Sequence, residues 1–133
     1  MVDRMVDREV QRYSHGELAI VVDVSDLDRS AEFWCQVLGY DRAGGSSAAY
    51  LSLIPGDGRG CEVLLQRTDD RKLGKNRLHL DLRTPDLSAE VSRVRALGAT
   101  QLTEEPIVES GWTWHLLADP DGNEFCVLQP PAG

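Results

Sequence analysis

ELAIVVDVSDLDRSAEFWCQVLGY at 17–40 and RLHLDLRTPDLSAEVSRVRALGA at 77–99 are two versions of one plan. Each runs from an alternating stretch into an acidic turn, Asp26-Leu27 or Asp86-Leu87. An amphipathic stretch follows, and a glycine closes it, Gly39 in one copy and Gly98 in the other. In the first copy Leu18, Ile20, Val22 and Val24 alternate with Glu17, Ala19, Val21 and Asp23, the period of a strand with one buried face. Ser25 or Asp26 can cap the helix that follows, whose stripe is Leu27, Ala31, Trp34 and Leu38. In the second copy Leu78, Leu80 and Leu82 make the apolar face of a strand over 77–83. Leu87, Val91, Val94 and Leu97 are the stripe of a helix over 86–97. A duplicated strand-helix unit predicts two similar modules packed around a shared cavity.

Three short strands follow each helix. In the first copy they are expected near 40–44, 48–54 and 60–67, with glycine-rich turns between them. In the second they fall near 100–104, 111–118 and 123–129, the last two joined by the turn Asp119-Pro120-Asp121-Gly122. Each module is therefore βαβββ. The expected fold is α+β, with tandem modules at 17–67 and 76–130 forming a curved mixed sheet around a central cavity. The charged connector at 68–75 joins them within a single domain, 17–133. The polar segment 1–16 is expected to be a flexible N-terminal extension.

At 133 residues the chain is long enough to bury about two-thirds of its unfolded surface. Its 41% hydrophobic and 27% charged content suits a soluble globular domain. No apolar run approaches the roughly 20 residues of a membrane span, and the N-terminus has no apolar core of a secretion signal. A net charge of −8 argues against general affinity for nucleic acid, because no basic stripe can neutralise phosphates. Cys35, Cys61 and Cys126 form no close pair and read as reduced thiols in a cytoplasmic protein.

The duplication, the SDLDRSAEFW helix entry, the KNRLHLDL strand and the DPDGNEF turn together resemble the vicinal oxygen chelate superfamily. This is the glyoxalase, bleomycin-resistance and extradiol-dioxygenase fold, and the likeness runs from Glu17 to Gln129. Its nearest subgroup is the glyoxalase-like domain proteins. Metal enzymes of the superfamily place ligands on the first and last strands of each module. Carried onto this sequence, those positions read Ala19, Val63, His79 and Cys126. Alanine and valine cannot bind metal, and a lone His and Cys suit a hard-metal site poorly. A shifted register would instead offer Glu62, His79 and Glu124, with three ligands and water. The expectation is nonetheless no metal, no other cofactor and no catalytic residue.

The inward face of the second module is expected to carry Arg77, His79, Asp81 and Arg83, with Arg77 and Asp81 satisfying one another or a carboxylate such as Asp23. Unpaired burial of such charges costs several kcal/mol, roughly. Ligand-binding residues are expected to be His79, Arg77, Asp81, Trp112, Trp114 and Cys126. His79 and Asp81 share a face, as do the two tryptophans, whose rings suit flat ligands at small entropic cost. Trp34 and Tyr50 read as packing residues, and His115 as solvent-exposed. The resemblance implies a metal-independent, non-catalytic protein that sequesters an antibiotic or other natural product, aromatic or cationic, as a homodimer. The alternative it implies is a lyase, isomerase or dioxygenase, by metal or by His79 acid/base chemistry.

Overall fold

A computed structural model of the chain describes residues 12–44 and 47–132. The chain divides between Asp70 and Arg71 into two compact units. The first opens with a short hairpin, β1 (Arg12–Tyr13) paired with β2 (Gly16–Glu17). The end of the expected flexible extension is thus paired backbone, while residues 1–11 lie outside the described residues.

Next come β3 (Ala19–Val24), α1 (Leu27–Leu38), β4 (Tyr40–Arg42), β5 (Tyr50–Pro55) and β6 (Glu62–Arg67). The sheet order is β3-β6-β5-β4, with β3 and β6 parallel and the other pairs antiparallel. Helix α1 starts where Asp26 Oδ1 accepts the Arg29 amide at 3.0 Å. It stops at Gly39, whose φ of 72° a side chain would strain. Its buried stripe is wider than the sequence suggested, adding Ser30, Phe33 and Val37 to Ala31 and Trp34. The stripe covers Val24, Leu51, Leu53, Val63 and Leu65, all buried. Leu18 lies outside this core, ahead of β3 and 56% exposed.

The second unit repeats the plan with β7 (Leu80–Arg83), α2 (Leu87–Ala96), β8 (Thr100–Gln101), β10 (Trp112–Ala118) and β11 (Glu124–Gln129). An additional strand, β9 (Ile107–Glu109), pairs with β10. The order β7-β11-β10-β8 matches the first unit, again with the first and last strands parallel. The molecule is α+β with βαβββ modules, each carrying its own mixed sheet. Asp86 Oδ1 caps α2 by accepting the Ala89 amide at 3.1 Å. Leu87, Val91 and Val94 bury on this unit's sheet, whose core holds Leu117, Phe125 and Val127.

Strand β7 is shorter than expected. Arg77, Leu78 and His79 precede it, and Leu78 is 90% exposed. Only Leu80 and Leu82 of the three leucines sit within the strand, both half-buried. β9 escaped the sequence reading because Ile107, Val108 and Glu109 are all exposed, so no alternation marks them.

Candidate functional site

The site lies on one face of the second unit's sheet. Asp81 pairs with Cys126 across β7 and β11, and Leu128 pairs with Trp114 across β11 and β10. Because a strand alternates its faces, this register sets Asp81, Cys126, Leu128, Trp112 and Trp114 on one side. Phe125, Val127 and Leu117 pack on the other. The turn that aims β11 is built on buried Asp119, whose Oδ1 accepts the amides of Asp121 at 2.9 Å and Asn123 at 2.8 Å. Gly122, at φ 87°, lets the chain reverse there.

A cavity of about 280 Å³ opens over this face, lined by His79, Asp81, Trp112, Trp114 and Cys126 together with Glu109, Ser110 and Leu128. Five of the six residues expected to bind a ligand thus meet in one place. Arg77 does not. It is exposed, lies before β7 and is absent from the lining. Its expected pairing with Asp81 is replaced by His79, whose Nδ1 stands 3.3 Å from Asp81 Oδ1. Arg83 instead lays its guanidinium over the Trp112 ring, 5.1 Å from the centroid. Glu109 and Ser110 went unnoticed in the sequence because nothing there marked β9.

Burial, and then the neighbouring Asp81 carboxylate, push the Cys126 thiol up to about 11. At neutral pH it is therefore a protonated, unreactive thiol. Glu124, two residues earlier on β11, is committed elsewhere. Its Oε1 accepts the Asn76 amide at 2.7 Å and pairs with Lys72 Nζ at 3.2 Å. The Asn76 hydrogen bond, aided by Lys72, holds its carboxyl below the usual range against the opposing effect of burial.

Other expectations shift as well. His115 is half-buried, and its Nδ1 meets Thr103 Oγ1 at 2.8 Å. It is not a solvent-exposed side chain. Tyr50 is 42% exposed, so it does not pack as Trp34 does at 2%. In the first unit, β3 and β6 pair Val21 with Leu64, just as β7 and β11 pair Asp81 with Cys126. The counterpart of Cys126 is therefore Leu64. Val63, the position matched from sequence, is buried on the opposite face of β6. Glu62 receives a hydrogen bond from the Ser52 hydroxyl.

The glyoxalase-like domain family matches residues 19–128. The chain belongs to that family. Among curated proteins, this glyoxalase-like protein is similar to Glyoxalase 1 of Caenorhabditis elegans, 27% identical over 118 residues. That match covers 84% of this chain and 41% of the relative, so the chain spans about two-fifths of its length. A glyoxalase/bleomycin resistance protein/dioxygenase family enzyme from Burkholderia phytofirmans superposes with a TM-score of 0.70 at 17% identity, covering 84% of this chain and 95% of the other. The fosfomycin resistance protein FosX of Listeria monocytogenes, solved with Mn(II) and 1S,2S-dihydroxypropylphosphonic acid, gives 0.69 at 16% identity, covering 86% and 90%. These likenesses show the glyoxalase/bleomycin resistance fold.

The glyoxalase-like residues do not fit the hard-metal centre that the fold family implies. The superfamily positions in the first unit hold Ala19 and Leu64, which carry no donor atom, and Cys126 brings a soft sulfur to the second. The shifted alternative fares no better. Its Glu124 is satisfied by Asn76 and Lys72, and its Glu62 by Ser52.

Proposed function

We propose that this glyoxalase-like protein binds a small aromatic or cationic molecule in the second unit's cavity, and that it sequesters the ligand without the hard-metal centre of its family. The gathering of His79, Asp81, Trp112 and Trp114 around one cavity carries this reading. Two indoles line the cavity, that of Trp112 already stacked by Arg83, and Asp81 and Glu109 supply negative charge beside them. Two carboxylates in the lining against the one guanidinium stacked on Trp112 favour a cation over an anion. A volume near 280 Å³ is just below the range usual for drug-sized ligands, which suits a small molecule or the planar part of a larger one. The family resemblance also supports a homodimer and a cytoplasmic location. Among the described residues no helix is long and apolar enough to cross a membrane.

Titrating the chelator-treated protein with a panel of planar aromatic cations should change its tryptophan fluorescence. His79→Ala should weaken the binding by about 1–3 kcal/mol through loss of a hydrogen-bond partner, with the fold intact. A panel that produces neither a fluorescence change nor calorimetric heat would sink the proposal.

The His79–Asp81 pair supports a second reading. With Nδ1 facing the carboxylate at 3.3 Å, Nε2 is the nitrogen that would exchange a proton with a bound molecule, as an acid/base enzyme requires. Chemical turnover of a bound ligand that His79→Ala abolishes would favour this reading over sequestration.

A further inference from the structure

We infer that the groove between helix α2 and the other face of the second unit's sheet is a binding site for a small organic carboxylate, separate from the cavity over Cys126. The groove encloses about 480 Å³, a volume within the range of small-molecule sites. Its strand wall includes His115 on β10, which faces away from Trp114 because successive residues of a strand alternate sides. Its helix wall is Ser88, Ser92 and Arg95, spaced by four and then three residues and so on one flank of α2. Buried Leu87 and Val91 supply its apolar part.

A chain of hydrogen bonds positions the donors. Arg95 Nη1 donates to Gln101 Oε1 at 3.3 Å, and Gln101 Nε2 donates to the Thr103 carbonyl at 2.7 Å. The Thr103 hydroxyl accepts the Leu116 amide at 3.2 Å, so its own proton is left for His115 Nδ1, 2.8 Å away. That bond assigns the ring proton to Nε2, the end of the ring remote from Thr103. The rest of the Arg95 fork presents paired N–H groups that match the two oxygens of a carboxylate. Neither serine hydroxyl has a partner among the described residues. Asp86 is the one carboxylate in the lining, at the opposite end of α2 from Arg95, and its Oδ1 is taken by the Ala89 amide. Glu104 and Glu105 directly precede the lining residue Pro106, and their charge disfavours a dianion such as phosphate. A single negative charge on an apolar body satisfies both walls, with the hydrocarbon part on Leu87 and Val91.

The inference does not rest on the reading of the other cavity. Full-length, isotope-labelled protein is titrated by NMR with hexanoate and with benzoate, and with hexylamine as the cationic match. Either carboxylate should shift the amides of α2 and the His115 ring signals to a plateau, with a Kd of roughly millimolar order for so small a ligand. The amine should not, and the indole N–H signals of Trp112 and Trp114 should stay in place. Arg95→Gln, at an exposed side chain, should keep the parent's spectrum away from the groove and weaken carboxylate binding by about tenfold or more. Arg95→Lys, which keeps the charge but not the fork, should recover part of that loss. Shifts that grow without a plateau, an equal response to the amine, or carboxylate binding unchanged in Arg95→Gln would each overturn the site. Inorganic phosphate binding more tightly than either carboxylate would overturn the ligand class.

Discussion

Asp81 serves two neighbours at once. Its Oδ1 stands 3.3 Å from His79 Nδ1, and its carboxylate accepts from the Cys126 thiol. The thiol's pKa of about 11 comes first from burial, then from the Asp81 charge and hydrogen bond. A carboxylate beside a thiolate disfavours the ionised form, so Asp81→Asn removes one cause of the rise and leaves the burial. In metal-free protein the Cys126 pKa should fall part of the way from about 11 towards the ordinary 9.0. Roughly one parent thiol in a thousand is ionised at pH 8, by the Henderson–Hasselbalch ratio, so alkylation there is slow. Mass spectrometry of Cys126 alkylation across pH 7–11 should show the profile of Asp81→Asn displaced to lower pH. An unchanged profile would mean that burial alone sets the thiol.

At the scale of elements, the connector is stitched to β11 through Glu124. Its side chain is only 14% exposed, and it accepts from both the Asn76 backbone and Lys72. Because its folded pKa lies below the ordinary 4.5, the ionised form stabilises the fold. That contribution is complete above pH 4.5 and is lost as pH falls through the lower folded value. Glu124→Gln should cost about 1–3 kcal/mol at pH 7 in urea unfolding, and the difference from the parent should shrink below pH 4.5. A gap of equal size at pH 7 and pH 3 would assign the loss to packing. Elsewhere the elements begin and end by sequence-local chemistry. Asp26 and Asp86 cap the two helices in the same way, each with an oxygen near 3 Å from the amide three residues on.

Across the whole molecule, each unit carries its own apolar core. Leu53 and Leu65 are fully buried in the first, and Leu117 and Val127 in the second. Leu53→Ala and Leu117→Ala should each cost about 2–5 kcal/mol in chemical denaturation, since each leaves a cavity in a packed interior. Leu73→Ala, at a side chain 88% exposed, should change stability by less than about 0.5 kcal/mol. A large loss at Leu73 would show that this connector leucine is covered in the molecule in solution. The plan of the fold was readable because period-two and helical stripes are local and were written twice, at 17–40 and 77–99. The sequence by itself determined the strand-helix repeat, the acidic turn ahead of each helix and the glycine just past each helix. Only the tertiary structure decided the strand register, because pairing depends on residues far apart in the chain. That register moved the counterpart of Cys126 from Val63 to Leu64, brought Glu109 and Ser110 to the cavity and left Arg77 outside it. It also set a sulfur, an imidazole and a carboxylate together from strand segments more than forty residues apart, a proximity that no local pattern encodes.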